Sequence, residues 1–375
     1  MADCLPTYSR AERDRRWSLA RAVVAAEGLD ALLVYGGPVG TDTYFTNDRP
    51  GSVVLFAGVA DPVQLVRSTV DDIDRCGDDL WLRPDQIRVG DDPAPLLTEF
   101  GTVGVVGVHP AQLAERLPRT RFRSAWIPLL RAMLPNSAEE LALVDQVARI
   151  GDAIAAAMRD AARPGVAEND VLTAGLDEGY LRGAQPRIHI STGSVACGRS
   201  GWSHRPHGPR VLADGDVVLA EVRNALALKE TRSQVAIAIG EVHRDIEAAV
   251  AIARACYDTG LALLRPGRTF GEVAQVMEKT VREAGGWTAR PMVRSLNPCG
   301  LVGGFGRGTG DFTGQVYGGE VRTVGADVAL RPGMTFAVVP HCVLGGWMAS
   351  LGGTVVVGAD APIELNALTA QLLRA

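Results

Sequence analysis

Gly215–Gly240 reads GDVVLAEVRNALALKETRSQVAIAIG. Two apolar, β-branched runs on either side of a short bend are the pattern of a strand hairpin. Its inner face carries Glu221 and Arg232, two charges where apolar side chains are expected. A buried carboxylate needs a partner or a role. Either Glu221 serves a ligand, or it only forms a salt bridge with Arg232 or Arg223. Arg232, in turn, holds a substrate carboxylate bidentately or simply caps Glu221. Lys229 and Glu230 fall at the bend and read as solvated.

Outward from the hairpin, the chain runs to 375 residues, more than one core usually serves, so two domains are expected. Apolar residues make up 47% and the net charge is −5, which describes a globular protein and argues against a broad nucleic-acid surface. The basic residues are scattered and almost all Arg; Lys229 and Lys279 are the lysines. No apolar run reaches the roughly 18 residues of a membrane span. The start, MADCLPTYSRAERDRR, lacks the apolar core of a secretory signal. Cys4, Cys76, Cys197, Cys256, Cys299 and Cys342 form no CxxC pair, so reduced thiols and a cytoplasmic location are expected.

The first part alternates helix and strand. RAERDRRWSLARAVVAAEGL (10–29) has helical apolar spacing, and DALLVYGG (30–37) follows as a buried strand. GSVVLFAG (51–58) and PVQLVRS (62–68) read as a strand pair, TVGVVGVH (102–109) as a further strand and Pro110–Leu117 as a short helix. This is an α/β domain over 1–135. Ser137 and Glu140 have capping-box spacing ahead of a long amphipathic helix, which opens a second domain over 136–375. That domain echoes itself. Arg163-Pro164-Gly165 and Arg265-Pro266-Gly267 each lie between two helical runs, a sign of duplication. A third Arg-Pro-Gly, Arg331–Gly333, starts a strand instead, so the tripeptide alone is a turn signal.

TYFTND (43–48), GDVVLAEV (215–222), LRPGMTFAVVP (330–340) and GGTVVVGADAPIELN (352–366) resemble, in this order, segments of the creatinase/Xaa-Pro aminopeptidase superfamily. The resemblance implies the pita-bread fold: an α/β N-terminal domain, then an α+β C-terminal domain with internal duplication. The family's metalloenzymes hold two ions with Asp, Asp, His, Glu and Glu. Carried over one position at a time, these fall on Glu221, Arg232, Cys299, Val339 and Gly352. Valine and glycine donate nothing from the side chain, and arginine is a permanent cation that repels a metal ion. No metal and no cofactor are therefore expected.

Creatinase is a precedent within the resemblance. It has the fold without metals and hydrolyses a C–N bond in a small zwitterion with a histidine acid/base. The matching position is His204, in SGWSHRPHGPRVLADGD (200–216), with His207 beside it. A histidine near neutral pKa takes and gives a proton within one cycle; the plain alternative is an exposed loop histidine. Cys299, in NPCGLVGGFGRGTGD (297–311), is either a nucleophile or a small buried hydrophobe. Its glycines make no phosphate loop, because no Gly-Lys-Ser/Thr follows. His341 and Trp347 follow the strand that ends at Val339; they either line the pocket or pack as ordinary loop residues. His109 and His243 read as surface residues, and His189 lies on a strand whose facing is open. Arg49 would reach a neighbouring subunit's site in the homodimer that the family implies.

The expectation is a metal-independent hydrolase acting on a small polar molecule, most simply by C–N cleavage. A lyase or isomerase in a biosynthetic pathway, using the same histidine, is one rival. A non-catalytic binding protein on the same scaffold is the other. A conventional metallo-aminopeptidase is not expected, and neither nucleic acid nor membrane is an expected partner.

Overall fold

The computed structural model describes residues 8–36, 40–48, 51–66, 81–90, 92–193, 209–288, 291–296, 300–303, 323–345 and 347–375, with backbone alone at 189–193. The chain divides into two compact units, Met1–Glu139 and Glu140–Ala375.

In the first unit α1 (Arg10–Ala26) starts at Ser9, whose hydroxyl accepts from the Glu12 amide as an N-cap. Then come β1 (Ala31–Tyr35), α2 (Thr43–Thr46), β2 (Val53–Ala57), β3 (Val63–Val66) and β4 (Ile87–Val89). After them lie α3 (Ala94–Leu97), β5 (Thr102–Val106), α4 (Pro110–Ala114), β6 (Arg121–Ser124) and α5 (Trp126–Met133). The strands form one sheet in the order β4-β3-β2-β1-β5-β6. Alternate residues of β1 serve its two faces. Leu32 and Val34 pack with Trp17, Ala20 and Val24 of α1, while Ala31 and Leu33 pack with Val103, Val105 and Leu113 on the other side. A sheet covered on both faces by helices is the α/β arrangement, and it explains the unbroken apolar run of β1.

The second unit begins with α6 (Ala138–Ala161), α7 (Glu168–Leu181), β7 (Arg187–Gly193), β8 (Val217–Leu226) and β9 (Lys229–Ala238). It continues through α8 (Arg244–Leu263), α9 (Phe270–Glu283), β10 (Val293–Ser295), β11 (Thr335–Val338) and β12 (His341–Leu344). It closes with β13 (Trp347–Ser350), β14 (Gly353–Val356), β15 (Ile363–Glu364) and β16 (Leu372–Arg374). The sheets run β16-β9-β8-β7, β10-β11-β14-β15 and β12-β13.

Backbone hydrogen bonds show the duplication directly. Leu212 N donates to Val166 O and Leu330 N to Arg268 O, at 2.8 Å in both cases. Gly215 N donates to Ile239 O and Gly333 N to Val357 O, again at 2.8 Å. Gly215 and Gly333 have φ of 86° and 85°, a left-handed conformation that suits glycine because no Cβ meets the chain. The third Arg-Pro-Gly is therefore the second half's copy of the Ala213–Gly215 turn, which is why it opens a strand.

The hairpin of β8 and β9 sorts its residues by face. Val218, Ala220, Val222, Val235 and Ile237 pack on Ile154, Met158, Val171 and Leu172 from α6 and α7. On the other face Val217, Leu219 and Ala236 pack with Ile246, Val343 and Met348. Further along that second face the apolar side chains give way to Glu221, Arg223, Arg232 and Gln234. The turn is Ala227–Leu228, with φ of 43° and 68°. The reading of Lys229 as solvated needs correction. Its ammonium is buried and donates to Glu140 Oε1 at 2.7 Å, because the first turn of α6 lies against this end of the hairpin. Among the described residues no helix is long and apolar enough to cross a membrane.

Candidate functional site

Antiparallel register pairs Glu221 with Gln234 and Arg223 with Arg232. With a side-chain period of two, all four share one face of the sheet. Arg223 Nε donates to Glu221 Oε1 at 2.7 Å, and Gln234 Nε2 donates to Glu221 Oε2 at 3.2 Å. Arg232 Nε lies 3.7 Å from Glu221 Oε1, and its Nη2 lies 3.6 Å from Glu230 Oε1. The structure thus brings Glu221 and Arg232 together, with Arg223 as the closer partner. The second half holds this face in place. Arg232 N donates to Thr354 Oγ1 at 3.1 Å, that hydroxyl donates to Arg232 O at 3.2 Å, and Gln234 N donates to Gly352 O at 2.9 Å.

Glu221 and Arg232 are 4% and 6% exposed, so their charges interact with little screening from water. Burial alone would raise the Glu221 carboxyl. Arg232, Arg223 and Arg294 outweigh it and hold the group down at about 2. Burial, then the like charge of Arg294, push Arg232 down to about 10 against the pull of Glu221. It stays a cation at neutral pH. Arg232 Nε and Nη1 are buried with no hydrogen-bond partner among the described residues, and so is Gln234 Oε1. Arg294 and Gln234 were not singled out from the sequence. Gln234 had a weak signal, two residues from Arg232 on the same strand. Arg294 had none, because β10 brings it in from the other half of the unit.

The remaining carried-over positions lie on β11 and its partner. Val338 pairs with Gly353, so one step further along the register sets Val339 opposite Gly352. Gly352 has φ of 104°, and a Cβ there would overlap the Val338 carbonyl oxygen and press on the Tyr257 ring. His341 is buried. Its Nδ1 lies 2.8 Å from Ser350 Oγ and its Nε2 lies 3.4 Å from the Pro291 carbonyl, which can only accept. Trp347 stacks on His243, with ring centroids 4.8 Å apart, and packs against the cluster that includes Val217 and Leu219. His109 and His243 are N-caps of α4 and α8. The backbone of His189 lies opposite Glu221 in the register of β7 and β8. Arg49, His204, His207 and Cys299 lie outside the described residues. The thiols of Cys256 and Cys342 are buried and pushed up to about 12, which leaves them unreactive. Among the described residues no three His, Cys, Asp or Glu side chains gather closely enough to hold a metal ion.

The sequence matches the model of metallopeptidase family M24 over residues 142–359. No curated protein matches it significantly. Solved structures do resemble it in fold. The Xaa-Pro dipeptidase from Bacillus anthracis has a TM-score of 0.79 at 15% identity, with 97% of this chain and 100% of that chain covered. Dipeptidase PepE from Mycobacterium ulcerans has a TM-score of 0.77 at 18% identity, covering 98% and 99%. Proline aminopeptidase P II from Yersinia pestis has a TM-score of 0.71 at 17% identity, covering 96% and 97%. At such identities the likeness establishes the fold, which is the pita-bread fold of that family.

Proposed function

The chain belongs to metallopeptidase family M24, and on that premise we propose that it is a hydrolase working without the family's metal pair. It cleaves a C–N bond in a small polar molecule. His204 is the acid/base, Glu221 and Arg232 orient the substrate, and His207, His341, Trp347 and Arg49 are the further candidates around it. Cys299 stays a candidate nucleophile.

One observation carries the reading: a guanidinium stands where the resemblance puts a metal-binding carboxylate. Arg232 is a buried, permanent cation beside Glu221. Val339 and Gly352 supply no donor atom, and Gly352 has no room for a side chain. These residues do not fit a dinuclear centre, which needs several oxygen or imidazole donors and bridging carboxylates. Glu221, held near 2, is a fixed anion rather than a proton carrier. Proton transfer then falls to a group with a pKa near neutrality, the role given to His204. A cytoplasmic homodimer, with Arg49 reaching the partner's site, belongs to the same proposal.

The test is metal content by mass spectrometry. Protein purified without chelator, and again after loading with manganese, cobalt or zinc, is expected to hold well under one equivalent. About two equivalents surviving dialysis would overturn the reading and return the chain to peptide substrates.

A further inference from the structure

Two neighbouring side chains on the polar face of β9 have opposite unmet needs. Arg232 and Gln234 lie two residues apart on one strand, so they share a face with about 6.6 Å between them along it. Both reach the same carboxylate. Arg232 Nε lies 3.7 Å from Glu221 Oε1, and Gln234 Nε2 donates to Glu221 Oε2 at 3.2 Å. At 3.7 Å the guanidinium attracts Glu221 without hydrogen-bonding to it. Arg232 Nε and Nη1 are thus buried donors with no acceptor among the described residues, and Gln234 Oε1 is a buried acceptor with no donor. The Gln234 amide cannot be turned over to remove the mismatch. Its NH2 group serves an ionised carboxylate, which only accepts, and the reverse orientation would set two acceptors against each other.

A carboxylate ligand would serve Arg232 alone, since it has no hydrogen to give Gln234. A group that accepts at one atom and donates at a near neighbour serves both. The oxygen and nitrogen of an amide are about 2.3 Å apart, and two hydrogen bonds of about 2.9 Å carry that reach past the spacing of the two residues. Because Arg232 and Gln234 stand side by side, the C=O and N–H must point the same way. They do so in a primary amide and in the cis amide of a small lactam or cyclic ureide. In an open-chain trans peptide bond they point in opposite directions. We infer that this face of β9 binds a syn amide, as in a primary carboxamide, a lactam or a cyclic ureide, with Arg232 donating to the carbonyl oxygen and Gln234 Oε1 accepting the N–H. A cation at that oxygen stands where negative charge develops when an amide is attacked, so the contact suits C–N cleavage. A tertiary amide, with no hydrogen on its nitrogen, leaves Gln234 unserved. The inference deepens the proposed function by naming its substrate class, and it rests on that reading's choice of this face as the ligand site.

Binding tests it without turnover. Three neutral probes are titrated into the full chain with chelator present and followed by ligand-observed NMR. δ-Valerolactam is a syn amide. Its N-methyl form keeps the ring and carbonyl but lacks the N–H, and N-methylacetamide holds its C=O and N–H trans. δ-Valerolactam is expected to bind about tenfold more tightly than either, the difference one well-met buried hydrogen bond makes. Gln234→Met keeps the side-chain length and loses Oε1, and is expected to remove the preference over the N-methyl form. Arg232→Met is expected to weaken δ-valerolactam by about tenfold. A bridging water also accepts and donates. If water alone serves these groups, the parent chain ranks δ-valerolactam level with its N-methyl form. That result, or a preference surviving in both variants, would overturn the inference, and the parent's own ranking decides even where a variant fails to fold. Metal content measured before chelator is added reads the proposed function separately, so the failure of one is told from the failure of the other.

Discussion

Protonating Glu221 removes the charge against which Arg223 and Arg232 are held. Its folded carboxyl titrates near 2, below the ordinary 4.5, so the unfolded chain takes up this proton first. The stability it contributes is complete above about pH 4.5 and drains away as pH falls toward 2. Glu221→Gln removes that contribution at every pH and leaves three guanidiniums without their shared anion. The expected loss is on the order of 3–5 kcal/mol at pH 7, and urea unfolding from pH 7 to pH 3 reads both effects. A variant as stable as the parent, or one with the same loss in acid, would mean that Glu221 is not the anion balancing this site. The pairing of Glu221 and Arg232 was visible in the sequence, because strand alternation alone puts both on the inner face. The buried Lys229 was not. A lysine next to a bend reads as solvated unless one knows that Glu140, from a helix some ninety residues earlier, lies beneath it. Arg294 was hidden for the same reason, since no local pattern reports a contact made across the duplicated halves.

Strand patterning made the β8–β9 hairpin legible, yet its turn carries none of the usual turn residues. Ala227 and Leu228 both adopt positive φ without glycine or asparagine, a conformation costing an L-residue roughly 1–2 kcal/mol. Two-residue hairpin loops of this hand favour Asn-Gly, which meets the same geometry with little strain. The double substitution Ala227→Asn and Leu228→Gly is expected to stabilise the chain by about 1 kcal/mol, allowing for the extra freedom of glycine when unfolded. In a unit of this size that raises Tm by about 2–4 °C. Calorimetry giving an unchanged or lower Tm would show that tertiary contacts of Leu228 outweigh the backbone strain. Elsewhere the readable elements share one property. α1 and α6 have long helical apolar periods and β1 and β5 are apolar runs, whereas β4 and β6 are short and carry few apolar residues and passed unnoticed.

Across the whole molecule, the repeated Arg-Pro-Gly told of duplication, and its third copy read as a turn before a strand without revealing its place in the repeat, because a tripeptide records a turn and not its position. Hydrogen bonding pairs Gly215 with Gly333, and this makes a symmetric prediction. Gly215→Ala and Gly333→Ala are each expected to cost about 1–2 kcal/mol, and to cost the same within experimental error. Denaturant unfolding with a large difference between them would show that the two turns are not equivalent in energy, whatever their geometry. Gly352 also limits what mutation can install there. A glutamate at this position would drive its side chain into the Val338 carbonyl and the Tyr257 ring, so the backbone would have to move before that carboxylate became useful. A laboratory lineage selected for metal uptake would have to remodel β11 or Tyr257 first.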